Sequence, residues 1–168
     1  MKKKFLVIVL LVVVGAVFAQ NPVAKGQTQF NAGVGFSSWG APIYLGLDFG
    51  VHKDFTMGGE FSFQSYRDKY ENHYYDHTVM GISGNGNYHF NHVLNIPTNW
   101  DFYAGLCIGF YIWNSPNDYP DDGPHSSGLG VGGQIGGRYY FSNNFGVNLE
   151  FGGGNAFSGG KFGISLKL

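Results

Sequence analysis

Charge is scarce in this chain. Only 12% of its 168 residues are charged, the formal net charge is −1, and no basic cluster follows the first four residues. That composition leaves no electrostatic footprint for nucleic acid. Cysteine is nearly missing: Cys107 stands alone, which excludes an intramolecular disulfide framework. Past residue 18 there is no long apolar run, so any membrane crossing must be made by strands. Aromatics and glycine are plentiful instead, with 16 Phe, 11 Tyr and 28 Gly. That mixture suits many strands and tight turns, and the length suits one domain.

The organising pattern has a period of two. At the carboxyl end Phe162, Ile164, Leu166 and Leu168 alternate with Lys161, Gly163, Ser165 and Lys167, the mark of a strand with one apolar and one polar face. The same alternation predicts seven earlier strands. They cover residues 27–37, 43–52, 55–64, 77–90, 100–112, 129–141 and 145–151. A leader at 20–26 precedes them. Tight turns are expected at Lys53 and at residues 142–144, and a longer connection at 91–99, with Val93, Leu94 and Ile96 against the rim. Loops are expected at 38–42, 67–76, 114–126 and 152–160, marked by Gly, Pro and polar residues.

Every strand repeats an apolar face, and no residues are left over to cover it. The outward aromatics also sort by height. Phe30, Phe49, Phe55, Tyr88, Phe90, Trp100, Phe102, Tyr139, Phe141 and Phe145 fall at the turn ends; Phe36, Phe63, Phe110 and Phe151 fall towards the loop ends. Aliphatic residues and glycine lie between. Two aromatic girdles around an aliphatic belt are what a bilayer selects. A soluble β-sandwich or lipocalin-like barrel is the alternative, and it would put Asp48, Glu60, Arg138 and Glu150 outside. The girdles favour the lipid-facing arrangement. The expected fold is therefore all-β, an eight-stranded antiparallel up-and-down transmembrane β-barrel. An even strand count puts both ends on one side.

The amino end is a basic Met1–Lys4 followed by an apolar run from Phe5 and a Val17-Phe-Ala19 cleavage site, which predicts a signal peptide over 1–19 and a barrel over 20–168. A transmembrane anchor is the rival, but the run is short for a span and no stop-transfer charges follow it.

The last strand, with Lys161, Gly163, Leu166 and Leu168 at the positions polar-x-Gly-x-x-apolar-x-apolar, resembles the terminal strand of bacterial outer-membrane β-barrel proteins. That family's assembly machinery reads this strand, usually with an aromatic where Leu168 stands. The mature chain as a whole resembles small barrels of the OmpX and OmpA transmembrane-domain type. Segments 87–91, 100–105 and 137–141 look like uncharacterised barrel proteins common in Bacteroidetes. The resemblance implies the fold, an outer-membrane location, and lipid and the assembly machinery as partners. It implies no activity, and no peptidoglycan-binding domain is expected after the last strand.

Three constellations are candidates for chemistry. His125 and Ser127 have the His-x-Ser spacing of outer-membrane lipid A deacylases, which they resemble, but Gly and Tyr stand where that family has its Glu. Without a carboxylate the His is not oriented as a base. His73, Asp76, His77, Asp118, Asp121, Asp122 and His125 are metal-capable residues on two loops, yet they lack the alternating spacing of a calcium loop. No metal or other cofactor is expected. The third set is inward and ionic: Asp48, Glu60, Asp101, Arg138, Glu150, Lys161 and Lys167. Buried charges must pair, so Arg138 is expected to bridge Glu150 and either Glu60 or Asp48 and to plug the lumen. A proton or ion path is the livelier reading of the same set. Eight strands leave room only for side chains, which argues against a diffusion porin. The function expected is that of a monomeric, non-enzymatic outer-membrane barrel with structural duties or a ligand at its loops. A lipid-modifying enzyme is the alternative.

Overall fold

The computed structural model describes residues 23–37, 40–70, 73–115, 127–155 and 158–168. The signal peptide, its cleavage site and the loop residues Asp118, Asp121, Asp122 and His125 lie outside them. Eight strands run in chain order: β1 (Thr28–Ser37), β2 (Ile43–His52), β3 (Phe55–Tyr70), β4 (His73–His89), β5 (Trp100–Asn114), β6 (Gly128–Tyr140), β7 (Phe145–Gly154) and β8 (Ser158–Lys167). Each pairs antiparallel with its neighbours, and β1 closes on β8 from Gln29↔Lys167 to Ser37↔Gly159. The result is a closed up-and-down barrel with no free edge.

Its polarity is inverted relative to a soluble protein. Leu106 is 73% exposed and Ile82 65%, while Asp101 and Gln29 are fully buried. Closed barrels satisfy every backbone group between strands, so such a surface can face hydrocarbon. At the turn end the outward rings form a nearly continuous chain. Phe55 meets Tyr88 at 5.0 Å, and Tyr88 meets Phe90 at 5.2 Å. Trp100 meets Tyr139 at 4.8 Å, and Tyr139 meets Phe141 at 5.1 Å. Edge-to-face and tilted contacts at these distances suit the aromatic quadrupole. The loop end is sparser, with Phe36 against Phe151 at 6.1 Å. Two outward rings, Phe61 and Phe162, break the sorting; they pair with Leu45 and with Val34, inside the aliphatic belt.

Several boundaries differ from the sequence expectation. The loop expected over 67–76 is largely a hairpin extension, paired through Tyr70↔His73. Stacking of Tyr66 on His77 at 5.0 Å and an Arg67–Asp76 ion pair of 2.7 Å support it. Those are cross-strand contacts, invisible to a scan for apolar alternation. The glycines at 152–154 are strand, not loop, because Gly152↔Gly159 and Gly153↔Ser158 continue the ladder. Val93 and Leu94 do not pack on the rim; they are 58% and 64% exposed. The stretch before β1 is more than a leader. Val23 is buried, and the Gly26 N–H donates to the Gly50 carbonyl at 2.7 Å. Gly50 is required there, since a Cβ would lie 2.0 Å from the Ala24 carbonyl oxygen.

Candidate functional site: two ionic layers in the lumen

The turn-side layer is centred on Arg138 of β6. Its Nη2 lies 2.7 Å from Asp48 Oδ2 on β2, and its Nη1 lies 3.0 Å from Asp101 Oδ2 on β5. The guanidinium carbon lies over the Tyr103 ring, 4.3 Å from its centroid. A Cβ at Gly136 would strike that ring at 2.4 Å, so glycine is what admits the tyrosine beside Arg138. Asp101 also pairs with His89 Nδ1 at 2.7 Å, and His89 Nε2 meets Thr56 Oγ1 at 3.0 Å. Asp48 accepts from Asn31 Nδ2 at 2.9 Å. Asn31 Oδ1 in turn accepts from Gln29 and Ser165, while Gln29 Oε1 accepts from the Tyr140 hydroxyl. Lys167 Nζ sits 3.8 Å over the Tyr140 ring. Arg138, Asp48 and Asp101 are each at most 3% exposed.

The loop-side layer is centred on Lys161 of β8. Its ammonium lies 2.7 Å from Glu60 Oε2 and 2.6 Å from Glu150 Oε1. The Tyr103 hydroxyl donates to Glu150 Oε2 at 2.8 Å and so ties the two layers together. A cavity of about 20 Å³ lies between the layers. A larger one of about 100 Å³ lies on the loop side, with Glu60, Glu150 and Lys161 at its base.

Asp48, Glu60, Arg138 and Glu150 therefore all face the lumen, but the expected pairing is only partly what the geometry gives. Arg138 reaches Asp48, not Glu150 or Glu60. The reason is register. Asp101 stands directly opposite Arg138, and Lys161 directly opposite Glu150. Direct cross-strand partners are closer than diagonal ones. The β6–β7 hairpin sets Asn148 opposite Arg138, and the neighbour on the other side, β5, supplies Asp101. His89 and Tyr103 were also missed as members of the layer; the inward period of β4 and β5 identifies both.

In the last strand, Lys161 and Gly163 face the lumen while Leu166 and Leu168 face outward. Ser127 Oγ accepts from the Trp113 N–H at 3.0 Å. On the extended hairpin, hydrogen bonds from Arg67 hold the Asp76 carboxyl below its usual range. Among the described residues no group of three or more His, Cys, Asp or Glu side chains is placed to hold a metal.

No family model matches the chain, and no curated protein matches it by sequence. Solved structures do share its fold. The outer-membrane protein OprG from Pseudomonas aeruginosa superposes with a TM-score of 0.63 at 8% identity, covering 89% of this chain and 99% of that one. The N-terminal β-barrel domain of Pseudomonas aeruginosa OprF gives 0.56 at 14% identity, covering 86% and 98%. Neisserial surface protein A gives 0.54 at 14%, covering 84% and 95%. An apolar outside, two aromatic girdles, a closed eight-strand ladder and a polar inside define the class. The chain is a small outer-membrane β-barrel, crossing the membrane with eight strands.

Proposed function

We propose that this chain is a monomeric, non-enzymatic outer-membrane barrel of the OmpX/OmpA transmembrane-domain kind, with its lumen closed to solutes and its loop end outward. Residues 1–19 are its cleaved signal peptide, and the last strand, through Lys161, Gly163, Leu166 and Leu168, is read by the assembly machinery. The observation that carries the closed reading is the turn-side layer. A guanidinium with two carboxylates, an aromatic ring beneath it, and a hydrogen-bonded Gln29–Asn31–Ser165 set fill the cross-section. Eight strands leave no more than that width. The segment before β1 packs beneath the same end, at Gly50. Bound at its loops or in its loop-side lumen, a ligand would not pass through. The Ser127 hydroxyl is engaged by the Trp113 backbone, which counts against a nucleophile there. Planar-bilayer recording of the pure protein tests the proposal. Brief, rare openings at most are expected; steady, large conductance refutes it.

A further inference from the structure

The lipid-facing surface is not evenly covered. Across β5, β6, β7 and β8 one outward row reads Phe102, Gly137, Leu149 and Phe162, each directly opposite the next in the ladder. The row on its turn side reads Trp100, Tyr139, Val147 and Ile164. Gly137 is the one member of either row without a side chain, so the surface dips over β6. The dip is part of a groove of about 520 Å³ with an almost wholly apolar lining. On β5 it is walled by Trp100 and Phe102, whose rings stack at 5.5 Å with their planes 10° apart. Leu149, Phe151 and Phe162 wall the other side.

The backbone does not impose that glycine. Its φ lies outside the left-handed region. A Cβ there would meet the Phe102 ring at 3.0 Å and, beyond it, only the Asp101 carbonyl oxygen at 3.8 Å. The groove also has the length of a hydrocarbon chain. It follows β6 from Ile135 to Tyr139, about 13 Å at roughly 3.3 Å per residue, and the hydrocarbon of one leaflet is about 15 Å deep. Trp100 and Tyr139, with ring centroids 4.8 Å apart, frame its turn-side mouth. Amphipathic rings of this kind sit at headgroup level, so the groove starts at the interface and ends inside the aliphatic belt.

Lipid tails are as apolar as this wall, so no hydrophobic drive fills the groove. Contact does. A tail on a flat face touches protein on one side only. In the groove it touches the β5 rings, the β6 backbone and the β7 side chains together, and dispersion grows with every atom pair. We propose that the groove binds one acyl chain of a glycerophospholipid in the turn-side leaflet. The ester end lies at Trp100 and Tyr139, and the tail runs towards Ile135 and Phe151. The proposal needs only the membrane crossing; an open lumen would leave it unchanged.

The test is native mass spectrometry of the full barrel released from palmitoyl-oleoyl phosphatidylethanolamine nanodiscs. Wild type, Gly137→Leu and Gly133→Leu are compared at one activation energy. Gly133 also faces outward on β6 but lies outside the groove, and a Cβ there would find nothing nearer than the Gly105 carbonyl oxygen at 3.8 Å. It controls for an added leucine on the lipid face. Wild type is expected to retain one phospholipid. Gly137→Leu lowers the ratio of bound to free barrel at least about fivefold, and Gly133→Leu keeps it within about twofold. Gel mobility checks that both variants fold. A second measurement needs no variant. Gly59 and Gly137 are both outward glycines, each four residues from a turn-end ring, Phe55 and Phe141, on different sides of the barrel. A mid-chain doxyl-labelled phospholipid should broaden the Gly137 amide at least about twice as much as the Gly59 amide. The proposal is overturned by a wild type that retains no phospholipid, by equal retention in wild type and Gly137→Leu, by equal loss in both variants, or by equal broadening of the two amides. It is also overturned by a dimer, in place of a lipid adduct, that Gly137→Leu abolishes.

Discussion

Arg138→Ala removes the one cation shared by Asp48 and Asp101, two carboxylates that are at most 2% exposed. Breaking a buried pair by deleting one member costs about 3–5 kcal/mol, mostly because the surviving charge is left unpaired. Here the survivors keep some partners. Asn31 still donates to Asp48, and His89 still meets Asp101. The Tyr103 ring also loses the group lying on it. Those remaining hydrogen bonds place the expected loss at the low end, about 3 kcal/mol. The measurement is reversible urea unfolding in lipid vesicles, followed by tryptophan fluorescence and gel mobility. A control separates lost charge from lost packing. The triple variant Asp48→Asn, Asp101→Asn, Arg138→Met replaces the whole ionic unit by neutral groups of similar volume. Such replacements are often neutral or stabilising, so the triple variant should be more stable than Arg138→Ala. If Arg138→Ala falls within about 0.5 kcal/mol of wild type, the range of ordinary surface substitutions, the layer is not holding buried charge. If the triple variant is worse than the single one, the loss was packing rather than charge.

Leu106→Arg puts a cation on the most exposed part of the aliphatic belt and should cost about 2–4 kcal/mol in vesicle unfolding; a cost near zero would argue that this face does not meet lipid. Leu166→Asp and Leu168→Asp lie near the interface, where a charge costs only about 0–1 kcal/mol. A large drop in assembled protein, scored by outer-membrane fractionation, therefore reports recognition of the terminal strand, and normal assembly of both variants removes that role. Gly50→Leu forces a side chain into the Ala24 carbonyl and should expel the segment before β1, read as new protease cleavage near Lys25 with the barrel intact. Unchanged protection would mean the segment is held by other contacts.

The strands and their faces were legible because this fold makes its two environments so unlike. Every second residue meets lipid, so Leu45, Leu47, Phe49 and Val51 announce both a strand and a direction. The signal fades where that contrast ends. Residues 65–70 and 73–76 continue the β3–β4 hairpin beyond the belt, and their sequence is polar or aromatic throughout, so there was no alternation to read. Glycine has no face at all, so Gly152–Gly154 looked like loop although the backbone ladder runs through them. Inward residues were legible as a set but not as pairs. Pairing needs both neighbours of each strand, and a hairpin supplies one. With the register of β5–β6 and β7–β8 in hand, Asp101 opposite Arg138 and Lys161 opposite Glu150 are immediate. Val23 had no signal, being one apolar residue outside any periodic run.

The lumen changes character along its axis, and the change follows from residue size. Towards the turns its inward positions carry Tyr103, Arg138, Tyr140, His89 and Gln29, large side chains that interlock and bury one another. Towards the loops β6, β7 and β8 offer glycine at those positions, and the cross-section empties into a cavity of about 100 Å³. Two consequences follow from one pattern. The packed half satisfies its charges internally, which suits a wall. The open half is bordered by Glu60, Glu150 and Lys161 at its base and by small polar side chains on β3 and β4. A barrel selected only to be closed would gain stability from side chains in place of those glycines, since each void forfeits contacts. Gly132 and Gly159 are partly fixed by close strand approach, at 2.9 Å and 2.1 Å for a Cβ to neighbouring carbonyl oxygens. Ser62, Ser83 and Asn85 on the opposite wall are too small to fill the space they border. The open half is therefore flanked by small residues on both sides.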